Sequence, residues 1–379
     1  LMKNKSKLNK FFLFLKPEIL NYDIKFIVNS IKDGWISSEG KQVREFEQKL
    51  SKYIGRDFGI AVSSGTAALE IAVKSLKMKK NSEVIMSNFT IISPAIAILK
   101  EGLQPVFVDV DLKTWNSTYE AIIQKVTKKT KCIIATHTYG FPMEIDKLET
   151  FCKKNSIFLI EDAAEMVCHN YKKKFCGNYG DISIYSFYAN KHITTGEGGM
   201  IFTNNNDLKN ICSDMRNLCF GKKNRFNHYD IAWNYRMTNM QAALGISQLS
   251  RISSIIKRKK IIGRLYYNIL KNYDDILYIQ KPKYKKFTNI YWVVGIYINK
   301  KIDIKTLREK LLNSGIQTRD FFYPLNKQDA FINYPFYNKV YKNSEDLSKN
   351  GFYLPSFLGI KPSEIKIICE KLLIFLNEK

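Results

Sequence analysis

Up to about residue 245, short apolar runs alternate with segments of helical periodicity. The apolar runs are largely continuous rather than alternating with polar residues, and they lie near residues 60–64, 84–86, 105–110, 132–136, 157–161, 182–187 and 199–203. A strand that is buried on both faces reads as such a run, because neither face meets water. Helical patterns at 43–53, 67–76 and 94–99 accompany these runs. Together they predict a mostly parallel sheet covered by helices.

The pattern changes after about residue 245. A long basic segment of helical periodicity spans 249–272, a strand is predicted at 291–298, and a helix at 303–314 is expected to end at Gly315. Residues 352–355 lead into a last helix at 361–376. We therefore expect an α/β protein with a large domain over residues 1–245 and a smaller C-terminal α+β domain over residues 246–379.

Composition adds a strong positive charge to this picture. The chain has 60 Lys and Arg against 35 Asp and Glu, a formal net charge of +25, and 45% hydrophobic residues. The hydrophobic content excludes a disordered protein. The charge invites a nucleic-acid-binding function, but the basic residues are spread along the chain rather than gathered in one stripe. We keep a non-catalytic nucleic-acid-binding regulator as the alternative from a different class, and we expect no nucleic-acid partner.

Cysteine usage and hydropathy bear on the compartment. The seven cysteines form no CxxC pair, and four histidines offer little to a metal site, so we expect reduced thiols and no metal. No apolar run reaches the roughly 18 residues of a membrane span. The apolar stretch at 11–15 is too short for a signal peptide and lacks a cleavage site. A cytoplasmic enzyme is the expectation.

Three segments carry candidate chemistry, and the first is SSGTA at 63–67, between a predicted strand and helix. Free N–H groups at a helix N-terminus bind phosphate, Gly65 lets a ligand approach the backbone, and the hydroxyls of Ser64 and Thr66 can donate further hydrogen bonds. The same pattern also serves as an ordinary helix N-cap.

The second segment is EDAAE at 161–165, where a predicted strand ends. Open α/β sheets bind ligands at the carboxyl ends of their strands. Asp162 at such an end can hold a cationic ring nitrogen or a metal, or it can simply cap the next helix.

The third segment, SFYANKHITTGEGGM at 186–200, places Lys191 between a strand and a glycine-rich turn. A lysine amine forms Schiff bases with carbonyls when its surroundings lower its pKa. Taken alone, Lys191 could equally be a solvated loop residue.

Together these motifs are similar to the DegT-type nucleotide-sugar aminotransferases, which are fold-type I, aspartate aminotransferase-like, pyridoxal-phosphate enzymes. The resemblance runs from about Gly34 to about Glu370 and is strongest over 186–200. WISS at 35–38, NYRMTN at 234–239 and LPSF at 354–357 resemble the subgroup that aminates C4 of GDP-4-keto-6-deoxymannose.

The resemblance implies roles for individual residues. Lys191 would hold pyridoxal 5'-phosphate as a Schiff base and move the proton during transfer. Asp162 would face the pyridine nitrogen and Glu165 the phenolic oxygen. The remaining implied contacts to the cofactor are those of Ser64, Gly65, Thr66 and Ser186 with the phosphate, and of Asn234, which would reach the phosphate from the neighbouring subunit of a homodimer.

The chain departs from the family pattern at two positions. Most relatives place an aromatic after Thr90, where Ile91 stands here, so Ile91 or Phe89 would cover the cofactor ring. In relatives, the motif that corresponds to residues 319–326 usually ends with His, and this chain has Asn326 at that position. His192 directly follows Lys191 and is expected to be a turn residue that points away from the cofactor. The implied contacts to substrate are those of Ser37, Lys222, Arg319 and Asn326.

The expected function is therefore transfer of an amino group from glutamate, through pyridoxamine 5'-phosphate, to a 4-keto-6-deoxy sugar on a nucleoside diphosphate. GDP-4-keto-6-deoxymannose, giving GDP-perosamine for lipopolysaccharide O-antigen or capsule, is the first substrate expected. A dTDP- or UDP-linked ketosugar, aminated at C4 or C3, is an alternative. A ketosugar 3-dehydratase is another, although in such relatives His replaces the lysine found here as Lys191.

Overall fold

The structure, a computed structural model, describes residues 11–378. The first ten residues, which precede the apolar stretch weighed as a signal peptide, and Lys379 lie outside it. The strands are β1 (Phe58–Val62), β2 (Glu83–Ser87), β3 (Gln104–Val108), β4 (Thr130–Thr136), β5 (Phe158–Asp162), β6 (Asn170–Tyr171), β7 (Lys174–Phe175), β8 (Ile182–Ser186), β9 (Gly199–Thr203), β10 (Leu277–Ile279), β11 (Lys283–Tyr284), β12 (Phe287–Thr288), β13 (Val294–Ile298), β14 (Arg319–Asp320) and β15 (Gly351–Leu354).

The helices fall between these strands and on both sides of the sheet. They are α1 (Asn21–Lys32), α2 (Lys41–Ile54), α3 (Gly65–Ser75), α4 (Ser93–Lys100), α5 (Tyr119–Ile123), α6 (Ile145–Asn155), α7 (Asn206–Arg216), α8 (Asn239–Ser250), α9 (Ile252–Leu270), α10 (Ile304–Asn313), α11 (Lys342–Asn350) and α12 (Pro362–Asn377).

A seven-stranded sheet in the order β1-β9-β8-β5-β4-β2-β3 forms the centre of the molecule. Its strands run parallel except β9, which pairs antiparallel with both β8 and β1. Every residue of β8 and β9 is buried, as the continuous apolar runs predict. The expected α/β architecture with a mostly parallel sheet flanked by helices is confirmed.

Two apolar cores cover the faces of this sheet. Phe46 and Leu50 of α2 belong to the core on one face, and the alanine-rich α3 belongs to the core on the other. Because the faces are covered by different helices, successive residues of one strand reach different surroundings. For this reason Glu161 and Asp162, which are consecutive in β5, lie in different surroundings.

A second, antiparallel sheet in the order β10-β13-β15-β14 carries the C-terminal part of the chain. Its core includes residues of α9, α10 and α12 and also Phe12, whose backbone pairs with the segment at Ile316. The N-terminal segment therefore packs with C-terminal elements. The domain division at 245/246 stays a prediction, and residue 245 lies inside α8.

The structure corrects the bounds of two sequence-based elements. The helix expected over 249–272 is α9, which begins at Ile252 because Arg251, with a φ of −116° and a ψ of 14°, breaks the helical path between α8 and α9. The strand expected from 291 begins only at Val294, because Tyr291 has a left-handed φ of 55°. Helical periodicity persists across a one-residue break, so the sequence pattern could not reveal the first of these.

The thiol expectation holds within the described residues. All seven cysteines there are buried and unpaired, and burial raises the pKa of Cys132, Cys168 and Cys176, which makes them poor nucleophiles. Among residues 11–378 no helix has both the length and the apolarity needed to cross a bilayer.

A buried ion pair fastens α1 to α8 and α9. The Asp23 carboxylate is fully buried and accepts hydrogen bonds from Ser247 Oγ, Gln248 Nε2 and Arg251 Nη2, the last at 2.9 Å. Arg251 also donates to Glu18. Because Arg251 sits at the α8–α9 break, the same side chain fixes the position of α1 and the turn between the two long helices.

Arg251→Met is expected to lower the free energy of unfolding by about 3 kcal/mol, because it leaves Asp23 buried without its cation. Urea unfolding of the variant and of wild type measures the difference. Lys257→Met removes an exposed cation from α9 and should change the free energy of unfolding by no more than about 0.5 kcal/mol. Equal effects of the two substitutions would show that the ion pair contributes nothing.

Candidate active site

A cleft of about 520 Å³ opens where the C-terminal ends of β1, β5 and β8 face the antiparallel sheet. Parallel strands end at one edge, so side chains that follow them in sequence gather there. Nine of the sequence-predicted site residues line this cleft: Ser64, Gly65, Thr66, Ile91, Asp162, Glu165, Ser186, Lys191 and Arg319.

The N-terminus of α3 forms one end of the cleft. Ser64 is the N-cap and its Oγ accepts a hydrogen bond from the Ala67 amide at 3.0 Å. A Cβ at Gly65 would lie 3.0 Å from Ser186 Cβ, so glycine keeps the space between the helix terminus and Ser186 open. Amide N–H groups and three hydroxyls converge there, an arrangement that fits a phosphate.

Asp162 ends β5 and is almost fully buried in the wall of the cleft. One carboxylate oxygen accepts a hydrogen bond from the Ala164 amide. Burial raises the pKa of Asp162, while the amide and the nearby Lys191 oppose that rise. A buried carboxylate of this kind is stabilised by a cationic partner, and a protonated pyridine nitrogen supplies one.

The preceding residue, Glu161, faces the opposite side of the sheet. It pairs with His137 Nε2 at 2.9 Å and accepts from the Tyr179 amide, and Cys176 lies close by. The Met143 amide donates to His137 Nδ1, so Nε2 carries the proton that Glu161 accepts. Glu161, His137 and Cys176 thus form a buried cluster that does not line the cleft.

Lys191 lies in the turn between β8 and β9, and its amine is the central group of the cleft. Nζ lies 3.8 Å from Glu165 Oε1 and 3.7 Å from the centroid of the Trp292 ring. Burial lowers the pKa of the Lys191 amine, and the Glu165 and Asp162 carboxylates act against that effect. Burial also raises the pKa of Glu165. Burial of the Lys191 amine therefore favours its nucleophilic free form.

Two residues that sequence reasoning missed hold this pair in place. Trp292 donates from Nε1 to the Asn190 carbonyl at 2.9 Å and so grips the turn that carries Lys191. The Tyr139 amide donates to Glu165 Oε2 at 2.6 Å, and the Tyr139 ring stacks on Trp292. Trp292 is distant in sequence and reads as part of an apolar strand, so only the fold brings it to Lys191.

Ile91, which stands where most relatives have an aromatic residue, lines the cleft. Its side chain is 49% exposed and faces the cleft, so it is available to cover a flat ring. Phe89 is fully buried against Tyr139, Phe321 and Phe322 and does not line the cleft. The interpretation of Phe89 as a substitute for the missing aromatic is wrong.

The expected substrate contacts separate into two groups. Arg319 lines the cleft with its guanidinium over the Phe14 ring. Asn326 does not line it: its side chain is fully buried, accepts from Asn88 Nδ2 and donates to the Lys339 carbonyl. The prediction that Asn326 contacts the substrate directly is therefore wrong, because its side-chain amide is buried and is already hydrogen-bonded to Asn88 and Lys339.

Three further predicted residues are exposed and lie outside the cleft lining of their own chain: Ser37, Lys222 and Asn234. Asn234 belongs to a bridge with Asn217. Its assignment to the neighbouring subunit's phosphate site is compatible with this location and stays a prediction. The expectation that His192 points away from the cleft agrees with its absence from the lining, but the ring is buried rather than solvated.

Comparisons with known proteins agree with this geometry. A profile of the DegT/DnrJ/EryC1/StrS aminotransferase family matches residues 17–373. The GDP-perosamine synthase of Escherichia coli O157:H7 is 34% identical over 98% of this chain and all of its own length. The Vibrio cholerae GDP-perosamine synthase is 31% identical over 96% of this chain and 98% of its own.

A solved structure shares the fold. The putative sugar aminotransferase of Streptococcus pneumoniae, in its PMP-form, superposes with a TM-score of 0.89 at 24% identity, covering 97% of this chain and 98% of its own. The helix terminus, Asp162 and Lys191 together fit pyridoxal 5'-phosphate, the cofactor of this class of enzyme.

The Glu165–Lys191 pair yields a pH prediction. A nearby carboxylate favours the protonated amine, so Glu165→Gln should lower the pKa of Lys191. The rate at which cofactor-free protein captures pyridoxal phosphate should then rise at a pH about one unit lower than in wild type. Stopped-flow absorbance measures that rate against pH.

Glu120→Gln, which alters an exposed carboxylate outside the cleft, is the matched control and should leave the profile unchanged. A Glu165→Gln profile that coincides with wild type, or that moves to higher pH, would contradict the proposed coupling.

Proposed function

We propose a substrate and a reaction for this chain, which belongs to the DegT/DnrJ/EryC1/StrS aminotransferase family. As a family member it is a pyridoxal-phosphate-dependent sugar aminotransferase. The proposed reaction moves the amino group of glutamate to C4 of GDP-4-keto-6-deoxymannose and yields GDP-perosamine and 2-oxoglutarate.

The observation that carries the proposal is the Lys191 amine, buried between Glu165 and Trp292 in a cleft that also contains Asp162. Transamination needs a base that can exchange one proton between substrate and cofactor. A ketosugar 3-dehydratase resembling this family would have His at this position. Lys191 therefore favours amino transfer, and the DNA-binding alternative requires none of these four groups.

Pyridoxal phosphate, when bound, supplies an electron sink for the carbanion that forms when the substrate loses a proton. Asp162 would hold the ring nitrogen protonated, and the α3 N-terminus with Thr66 and Ser186 would bind the phosphate. Ile91 would cover the ring by dispersion contacts. These contacts fix the reacting groups against Lys191.

Lys191 Nζ would move the proton, first from the Cα of glutamate and later to C4 of the sugar. Its free-amine form is the base, and burial favours that form by lowering the pKa of Lys191. Glu165 accepts from the Tyr139 amide on one oxygen, which leaves the other oriented toward Nζ. The ammonium formed after proton abstraction would thus be stabilised by Glu165 and by the Trp292 ring.

A nucleotide sugar suits the open side of the cleft. Arg319 lies there with its guanidinium free of any carboxylate among the described residues, and a guanidinium binds a diphosphate well. The two relatives named above supply the choice of GDP and of the C4 ketone. Lipopolysaccharide O-antigen or capsule would then be the destination of the product, made in the cytoplasm.

A homodimer with shared sites is part of the proposal. Phe226 and Ile231 are 78% and 84% exposed in the segment that leads to Asn234, and α1 presents further exposed apolar residues. Exposed apolar surface of this extent is typical of an interaction site. A twofold partner would cover it and would bring Asn234 to the neighbouring cleft.

A panel of ketosugars tests the substrate. With glutamate as donor, GDP-4-keto-6-deoxymannose should show a kcat/KM at least about tenfold above those of the dTDP- and UDP-linked 4-keto-6-deoxy sugars, since a matched nucleotide adds hydrogen bonds. Product mass spectrometry and 2-oxoglutarate release measure the reaction. Preference for a dTDP or UDP sugar would overturn the choice of nucleotide. A deoxygenated sugar with release of ammonia would overturn amino transfer.

A further inference from the structure

A second, smaller cavity lies behind the turn that carries Lys191. It has a volume of about 50 Å³, and Asn190, Lys191, Trp292 and Tyr353 line both this cavity and the cleft. We call it the rear cavity. A buried water needs about 10–15 Å³ on the same measure, so the space admits a few waters or one small ion.

Two residues that line this space carry polar atoms without hydrogen-bond partners in the described part of the chain. Both ring nitrogens of His192 are buried, and neither has a hydrogen-bond partner among residues 11–378; the same holds for Asn190 Oδ1. Buried polar atoms in proteins are nearly always satisfied. His192 is only 4% exposed and lines the rear cavity, so a guest in that cavity can supply a partner for an N–H of its ring.

The buried Lys259 side chain indicates that the guest is negatively charged. This side chain of α9 is 8% exposed and lines the rear cavity, and its one hydrogen bond within the described range is to the Ser356 carbonyl at 2.7 Å. No carboxylate pairs with Lys259 there. Glu18, which also lines the cavity, is engaged by Arg251. A buried ammonium without a counter-charge is costly, and an anion removes that cost.

We propose that the rear cavity is a binding site for one small monovalent anion of halide size, held by the Lys259 ammonium and an N–H of His192. The Ser356 hydroxyl, which lines the same space, offers a third donor. The site is distinct from the phosphate cradle at α3 and does not depend on the proposed sugar substrate.

The site has a consequence for the neighbouring turn. A bound anion adds negative charge on the side of Lys191 that Glu165 does not line, and opposite charge favours a protonated amine. An anion bound in the rear cavity would thus raise the pKa of Lys191 without entering the substrate cleft.

Protonation of Lys259 should govern anion affinity. Burial lowers the pKa of Lys259 to about 7, and only the ammonium form attracts an anion. Affinity should therefore be high below that pKa and fall as pH rises through about 7. The titratable groups that line the cavity or act on His192 are Lys16, Glu18, Lys191, His192, Lys259, Tyr353, His169 and Lys260.

Bromide is the probe for a direct test. Crystals of the cofactor-loaded full-length enzyme, soaked in sodium bromide, should show an anomalous difference peak in contact with Lys259 Nζ and the His192 ring. Lys259→Met crystals, treated identically, should lack that peak. Wild-type density that fits only water, with no anomalous signal, would overturn the proposal.

Thermal unfolding supplies a second readout that needs no crystal. At constant ionic strength, with gluconate replaced by bromide, the midpoint should rise saturably for wild type and for Lys257→Met, whose lysine is exposed on the same helix. Bromide affinity should be at least about tenfold weaker in Lys259→Met and in His192→Leu. Equal bromide responses in all four proteins would contradict a site at Lys259.

Discussion

The burial of one lysine amine against carboxylates is the constraint on which the rest of the structure depends. Lys191 Nζ lies 3.8 Å from Glu165 and 3.7 Å from the Trp292 ring, with Asp162 close enough to influence its pKa. Charged groups are costly to bury unless they are paired and hydrogen-bonded. The sheet, the turn between β8 and β9 and the C-terminal elements each contribute one part of that pairing.

The sheet contributes through the alternation of strand residues. Asp162 turns into the cleft, whereas Glu161, one position earlier, turns into the opposite core and pairs with His137. Trp292, which precedes β13, reaches across from the C-terminal part and holds the Lys191 turn by a hydrogen bond to Asn190. The cleft therefore requires residues from both parts of the chain.

Much of this could be predicted from the sequence because buried parallel strands and strand-end motifs are local signals. The central strands, Asp162, Lys191 and the SSGTA turn were all recognisable in that way. Trp292 and Tyr139 were not recognisable, because the sequence indicates only a core position for an aromatic residue in an apolar segment. Their closeness to Lys191 and Glu165 depends on the fold. Asn326 was misplaced for the opposite reason: its motif position suggested the cleft, but Asn88 and the Lys339 carbonyl hold its amide in a buried junction. The rear cavity has no sequence signature, because His192 and Lys259 lie on separate elements.

Lys191 is the residue proposed to carry the cofactor, and the proposed reaction depends on it. The most direct test is borohydride reduction of the cofactor-loaded enzyme, followed by digestion and mass spectrometry of the peptides. We expect the added mass of the reduced cofactor on the single peptide that contains Lys191, and no added mass in Lys191→Met. Addition to another lysine, or no stable addition to any peptide, would contradict this expectation.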